Sequence, residues 1–293
     1  MTDPKTPTLV AVMGHGVVPS DSRVLTAFDF GATRGDGCFD ACRVLVTSQG
    51  KRVDHFDAHL KRFGESMKAL DLPVNLNAWK TLIIDAVNAW DHPGEAVLKM
   101  VMTRGPEYGH QQIPAGWVTI VPMPDHSKAR NGINVITLNR GYLAAGFKDS
   151  PWLLGGVKTT SYAINQAAKR EAARRGADDA VFVSAEGCLL EGPTSGLIFA
   201  MNDQLWTTPT ENTGILRSIT VEAILNEAEA GGVAVNRKFI TVDHISQQLL
   251  EGFWMVSAIR GVVPVLRVDD TEIPHNPGIT QMLSEAGGFE NGQ

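Results

Sequence analysis

The 293-residue chain is poor in cysteine, with only Cys38, Cys42 and Cys188. An odd, low count without a C-x-x-C pair argues against a disulfide framework and against a cysteine zinc site. No Lys/Arg-rich run with interleaved aromatics occurs, and acids and bases mix along a chain of net charge −6. Nucleic acid and anionic membrane surfaces are therefore not expected as partners. No apolar run approaches the roughly 18–20 residues that span a bilayer. The apolar patch at 9–13 is interrupted by Gly14, His15 and Gly16, too short a stretch for a secretory signal. A reducing cytoplasm is the expected location. The pair His55 and His59 has i, i+4 ligand spacing but lacks the glutamate of H-E-x-x-H, so no metal is expected.

What is present fits a core-forming enzyme. The chain is 43% hydrophobic and 20% charged, close to average globular usage. Residues 8–13 and 38–46 predict strands, the second closed by the turn Thr47-Ser48-Gln49-Gly50. Phe56, Leu60, Phe63, Met67 and Leu70 are spaced 4, 3, 4, 3, which predicts a core-facing helix over 57–70. A second helix over 76–90 and strands over 96–103 and 117–121 follow. The polar, turn-rich stretch 122–132 predicts a linker.

Beyond it come a strand at 134–138, a glycine-rich loop at 141–156 and a helix over 161–175 stopped by Gly176. A hairpin over 179–191, strands at 197–200 and 205–208, a helix over 216–230 and strands at 234–240, 253–258 and 262–268 complete the pattern. Hairpins mixed with helices, without regular βαβ alternation, predict an α+β class. The expected division is a small α+β domain over 1–123, a linker over 124–133 and a larger domain over 134–293.

Four elements carry chemistry. Lys158 follows Leu153-Leu154-Gly155-Gly156-Val157 and precedes a helix; a desolvated lysine there can form an imine with a cofactor carbonyl. Glu191 closes a strand before Gly192-Pro193-Thr194-Ser195-Gly196, where a carboxylate can reach into a cleft and hold a pyridine nitrogen protonated. Gly214-Ile215-Leu216-Arg217 opens the predicted helix, whose N–H groups can receive a phosphate. Arg62 lies off its helix's apolar stripe and can clamp a phosphate bidentately. Each has a plainer reading as a solvated or ordinary structural residue.

In order, Gly35-Asp36-Gly37-Cys38-Phe39, His59-Leu60-Lys61-Arg62-Phe63, Lys158-Thr159-Thr160-Ser161-Tyr162, Leu190-Glu191-Gly192 and Gly214-Ile215-Leu216-Arg217 resemble the class IV aminotransferases. These are the fold-type IV pyridoxal-phosphate enzymes. The resemblance covers about residues 28 to 265. It implies a small α+β domain, a larger domain with a barrel-like sheet, a cleft between them and usually a homodimer. It gives Lys158 the Schiff-base role, Glu191 the pyridine nitrogen and Arg62 the cofactor phosphate. Ser195 and the N–H groups of Ile215 and Leu216 join the cofactor set, with Ser257 and Ala258 in a second phosphate-side loop.

Within the family, the motifs at 35–39, 158–162 and 214–217 look most like 4-amino-4-deoxychorismate lyase, which makes 4-aminobenzoate and pyruvate for folate. The alternative is an aminotransferase for branched-chain or D-amino acids. Phe39 stands where the D-amino-acid branch has a tyrosine, and Asp40 replaces a glutamate common among transaminases. Thr103-Arg104-Gly105 is not followed by that branch's further arginine. The resemblance makes Phe39, Tyr162, Arg104 and His110 candidates to line a small amino substrate. Arg34, where the family more often has an aromatic residue, is a further candidate for a substrate carboxylate; a salt bridge within its own domain is the competing reading.

Overall fold

The computed structural model describes residues 6–108 and 113–289. Contacts divide the chain into two compact units, Met1–Pro124 with Val157–Tyr162, and Asp125–Gly156 with Ala163–Gln293.

The first unit contains β1 (Leu9–Val12), β2 (Gly16–Val18), α1 (Phe30–Arg34), β3 (Gly37–Thr47), β4 (Gly50–Val53), α2 (Phe56–Ala69), α3 (Leu76–Ala89), β5 (Gly94–Thr103) and β6 (Ala115–Pro122). Its six strands form an antiparallel sheet in the order β2-β1-β6-β5-β3-β4. The alternation of β3 explains its place. Cys38, Asp40, Cys42 and Val44 are buried, while Phe39 and Ala41 on the opposite face are half-buried, the period of two that a sheet requires. α2 packs on β3, and α3 packs on β1 and β6. The predicted stripe of α2 is buried at Leu60, Phe63, Met67 and Leu70, and Phe63 meets Trp79 of α3 edge to face at 4.8 Å, a favoured aromatic geometry.

The second unit contains α4 (Ser127–Arg130), β7 (Ile133–Asn139), a 3₁₀ turn (Pro151–Leu153), α5 (Ala163–Arg174), β8 (Asp179–Val183), β9 (Gly196–Met201), β10 (Gln204–Thr207), α6 (Ile219–Ala230), β11 (Val235–Arg237), α7 (Val242–Ser246), β12 (Gly252–Ser257), β13 (Gly261–Val268), β14 (Thr271–Glu272) and α8 (Pro277–Ala286). The sheet is mixed, in the order β11-β10-β9-β12-β13-β7-β8, with β14 on β13. Its central strands are apolar on both faces. Leu197, Phe199, Phe253 and Met255 join one core cluster. Ile198, Ala200, Trp254 and Val256 join another with α6 and α8. Continuous apolar runs of this kind mark strands covered on both sides. The class is α+β, as the element pattern predicts.

Two details differ from the sequence expectation. Val157–Tyr162 groups with the first unit, because its backbone pairs with β3: Phe39 N–H donates to Lys158 O at 3.0 Å and Thr160 N–H to Gly37 O at 2.8 Å. Within the expected linker, Ser127–Arg130 is helical. Among the described residues, no helix is long and apolar enough to cross a membrane.

Candidate active site

In the first unit, the segment around Lys158 lies beside β3 like a short extra strand. A bridge joins Cys38 and Thr159, and Lys158 N–H donates to Ser66 Oγ of α2 at 3.2 Å. The glycines of Gly35-Asp36-Gly37 make this approach possible. Gly35 has φ +71°, and a Cβ there would sit 2.4 Å from Ser161 Oγ, so both conformation and space favour glycine. Thr160 and Ser161 hydroxyls both donate to Gly35 O, at 2.9 and 3.0 Å. The lysine's main chain is thus held from two sides.

Its amine has softer contacts. Lys158 Nζ donates to Tyr162 Oη at 3.2 Å and lies 4.6 Å from the centroid of the Phe39 ring. Phe39 and Tyr162 meet edge to face at 4.9 Å. The structure therefore brings together three residues singled out from the sequence, Lys158, Phe39 and Tyr162.

Arg62 reaches a different partner from the one expected. Its Nε and Nη2 donate to Asp40 Oδ2 and Oδ1, both at 2.8 Å. His59 Nδ1 lies 2.8 Å from the same Oδ1. Asp40 is fully buried. Burial opposes its charge, but the His59 hydrogen bond and the Arg62 guanidinium outweigh that and hold its carboxyl well below the usual carboxylate range. The bidentate face proposed for a phosphate is thus directed at Asp40.

Two further arginines of the first unit also face carboxylates. Arg34 pairs with Glu107 at 3.1 Å, the salt bridge within its own unit that competes with the substrate-carboxylate reading. Arg104 donates to Asp36 at 2.6 and 3.2 Å and to Leu70 O at 2.6 Å, which ties the 35–37 turn to the end of α2. His110 lies outside the described residues. The thiols are buried; burial, with the charges of Asp40 and Asp36, pushes Cys38 up to about 12, so it is no nucleophile. Among the described residues no cluster of His, Cys, Asp or Glu suits a metal.

In the second unit, Glu191 is clamped on both oxygens. Arg140 Nη1 donates to Oε1 at 3.0 Å and Leu216 N–H donates to Oε2 at 3.0 Å. Arg140 is itself backed by the Phe182 ring at 5.2 Å. The N–H of Leu216 was expected at a helix N-terminus. Instead α6 starts at Ile219, because Ser218 is the better cap: its side chain accepts from Val221 N–H. Residues 214–217 are an irregular turn set by Gly214 at φ +70°, where a Cβ would meet the Phe147 ring at 2.4 Å. Ile215 is buried in a core cluster with Phe182 and Leu190.

A second polar network joins the turns after Glu191 and after β12. Arg260 Nη2 donates to Ser195 Oγ at 2.7 Å, and Arg260 N–H donates to Ser257 Oγ at 3.2 Å. Arg260 Nη1 pairs with the fully buried Asp179 at 2.7 Å. Ala258 lies half-buried in the same turn. Arg140, Arg260 and Asp179 carried no sequence signal, since no motif flags a single arginine or a strand-leading aspartate.

These donors suit pyridoxal phosphate. Lys158 offers a half-buried amine to an aldehyde, and Glu191 is an anchored carboxylate of the kind that receives a pyridinium N–H. The hydroxyls of Ser195 and Ser257 and the N–H groups around 215–216 and 258 are of the type that binds phosphate.

Comparison with known proteins gives the same family. A family model, amino-transferase class IV, matches residues 37–268. A bifunctional aminodeoxychorismate lyase / D-amino acid transaminase from Mycobacterium tuberculosis is 33% identical over 288 residues, 94% of this chain and 96% of the relative. A fold IV-transaminase from Curtobacterium pusillum superposes with a TM-score of 0.88 at 34% identity, covering 95% of this chain and 98% of its own. A hypothetical aminotransferase from Mycobacterium tuberculosis, solved in a PLP-bound form, gives 0.88 at 32% identity over 96% of this chain and 98% of its own. The same protein has also been solved with alpha-ketoglutarate and PMP, with a TM-score of 0.87 at 33% identity, covering 96% of this chain and 97% of its own. The chain therefore belongs to the class IV aminotransferases, as a pyridoxal-phosphate enzyme of lyase or transaminase type.

Proposed function

We propose that this enzyme converts 4-amino-4-deoxychorismate to 4-aminobenzoate and pyruvate, with Lys158 carrying the cofactor. The observation that carries the reading is the setting of Lys158. Its half-buried Nζ rests on the Phe39 ring and donates to Tyr162 Oη, beside the two aromatic residues that would line a substrate. Bound pyridoxal phosphate supplies an aldehyde for amine exchange and a ring that withdraws electrons from the amine-bearing carbon.

The chain's residues do the rest. Lys158 would hold the cofactor's aldehyde and, as the free amine, would take the proton from the amine-bearing carbon of the substrate. Tyr162 Oη steadies Nζ during that transfer. Glu191, oriented by Arg140 and Leu216 N–H, would receive the cofactor's ring N–H. The hydroxyls of Ser195 and Ser257 and the N–H groups of Ala258 and Ile215 would supply phosphate donors. In the lyase, loss of that proton would accompany breakage of the bond between the ring carbon and the ether oxygen, so that enolpyruvate leaves with its oxygen and is protonated to pyruvate while the ring becomes aromatic.

The motifs at 35–39, 158–162 and 214–217 and the named lyase activity of the mycobacterial relative support this reaction. Amino transfer from a D-amino acid to a 2-oxo acid is the second reading. The same relative's transaminase activity and the alpha-ketoglutarate and PMP complex favour it. The working form we propose is a cytoplasmic homodimer, the state that the family resemblance implies.

Two measurements test the reaction. With 4-amino-4-deoxychorismate, the lyase releases 4-aminobenzoate and pyruvate in equal amounts. With single amino acids and no acceptor, its absorbance stays that of the aldehyde form. Conversion to the amine form by D-amino acids, with no 4-aminobenzoate formed, overturns the lyase and leaves the transaminase.

A further inference from the structure

Arg260 is a hub of the second unit, in the turn between β12 and β13. Its guanidinium reaches two partners: Nη2 donates to Ser195 Oγ at 2.7 Å, and Nη1 lies 2.7 Å from Asp179 Oδ2. Its main chain is used as well. The N–H donates to Ser257 Oγ at 3.2 Å, and the carbonyl accepts from Arg130 Nε at 3.2 Å. Ser195 leads into β9 and Ser257 ends β12, and the pairing of Gly196 with Val256 puts the two serines at the same end of that ladder.

The direction of these hydrogen bonds decides what the serines can do. A hydroxyl has one hydrogen to give and two lone pairs, whereas a guanidinium or a main-chain N–H only donates. Each contact from Arg260 therefore occupies a serine lone pair and turns the hydroxyl hydrogen elsewhere. Among the described residues, neither hydroxyl gives that hydrogen to a protein acceptor. Two adjacent hydroxyls are thus left as donors, and phosphate oxygens are acceptors. Asp179, fully buried at the start of β8, matches the charge of Arg260. The fork is held in place without an outside anion. A buried ion pair adds little stability beyond what apolar residues would give, so its value here lies in the direction it imposes.

We propose that Arg260 is a positioning residue, which holds the Ser195 hydroxyl as a donor to the cofactor phosphate and, through its main-chain N–H, does the same for Ser257. This rests on the phosphate role proposed above for the two serines. Arg260 acts through Ser195 and does not itself bind the phosphate, because its fork is occupied by Asp179 and Ser195. Replacing its side chain breaks only the contact with Ser195, since the main-chain N–H remains for Ser257. Lysine at position 260 keeps a charge beside Asp179 but lacks the fork that serves two partners.

The test loads the whole enzyme with pyridoxal phosphate or with pyridoxal, which has the same ring and aldehyde but no phosphate. Dissociation constants are read from the absorbance of the bound aldehyde. Ser195→Ala and Arg260→Lys are each expected to weaken pyridoxal phosphate about tenfold and pyridoxal by less than about twofold, the size of one charge-assisted hydrogen bond. Both act on one bond, so the double variant should bind no worse than the weaker single variant. If Arg260→Lys folds poorly, Arg260→Met with Asp179→Asn removes both buried charges and repeats the comparison. Effects that multiply in the double variant overturn the positioning role, as does a loss shared equally by pyridoxal. A phosphate-selective loss in Ser195→Ala with none in Arg260→Lys also overturns it while leaving the serine's role intact. Failure of the underlying reading looks different: Ser195→Ala would then leave both ligands unchanged, and the positioning role falls with it.

Discussion

Lys158 and Glu191 are held by different physics. Lys158 has its backbone pinned by β3 and α2, while its amine meets the Tyr162 phenol and the face of the Phe39 ring. Such contacts are worth about 0.5–2 kcal/mol. Glu191 has both oxygens fixed by an arginine and a backbone N–H, bonds worth about 1.5–3 kcal/mol when one member is charged. A group that must leave one partner for another is held loosely. A group that must keep one charge and one direction is held tightly.

The largest break in this contrast is Lys158→Ala. It is expected to abolish borohydride-reducible attachment of pyridoxal phosphate and to lower turnover at least about a thousandfold, while the urea midpoint changes little. Single-turnover kinetics and the absorbance of the reconstituted protein check it. Retained covalent attachment would move the nucleophile to another lysine.

Asp40→Asn comes next, because it leaves Arg62 and His59 facing a neutral amide in a buried setting. A loss of about 3 kcal/mol in urea denaturation near neutral pH is expected, typical of a broken buried pair. The pH dependence has a definite sign. The folded Asp40 carboxyl titrates below its unfolded value, so its stabilisation is complete above about pH 4 and declines as acid protonates the folded form. Asp40→Asn should lack that acid-side decline.

On the Glu191 side, Arg140→Met keeps the apolar stem over Phe182 but removes the charge. A cost of about 2 kcal/mol is expected in denaturant titration. Weaker retention of pyridoxal phosphate on dialysis should accompany it. Unchanged cofactor affinity would show that Leu216 N–H alone orients the carboxylate. Tyr162→Phe should give the smallest effect. Removing one hydroxyl next to Nζ costs about 1 kcal/mol, read as a few-fold fall in kcat with KM nearly unchanged. A hundredfold fall would mean that Tyr162 itself transfers a proton.

The residues legible from sequence were those whose chemistry depends on local order. The α2 stripe shows its 3.6 period directly, and Gly35 and Gly37 announce a close backbone approach. The ordered motifs placed Lys158 and Glu191 by family resemblance before any contact was known. Illegible were the long-range pairings. Arg34 with Glu107 and Arg104 with Asp36 join residues about 70 apart in the chain. Arg62 with Asp40 joins α2 to β3, and Arg260 with Asp179 joins the turn after β12 to the start of β8. Residues 214–217 predict a helix start because Gly214 precedes a helical pattern, whereas α6 begins at Ile219. The competing cap, Ser218, lies only a few residues on, and tertiary packing of Phe147 against Gly214 decided between them.

By itself, the order of short motifs in this sequence determined the family and the α+β class, because those follow from residue type and spacing along the chain. Only the tertiary structure decided which charges are spent inside a unit and which remain available. Arg34, Arg62 and Arg104 look alike as sequence, yet each meets a carboxylate brought to it by folding, whereas Lys99 meets none among the described residues. That difference is set by strand register and burial, since a charge's worth depends on what the fold places within a few ångströms of it.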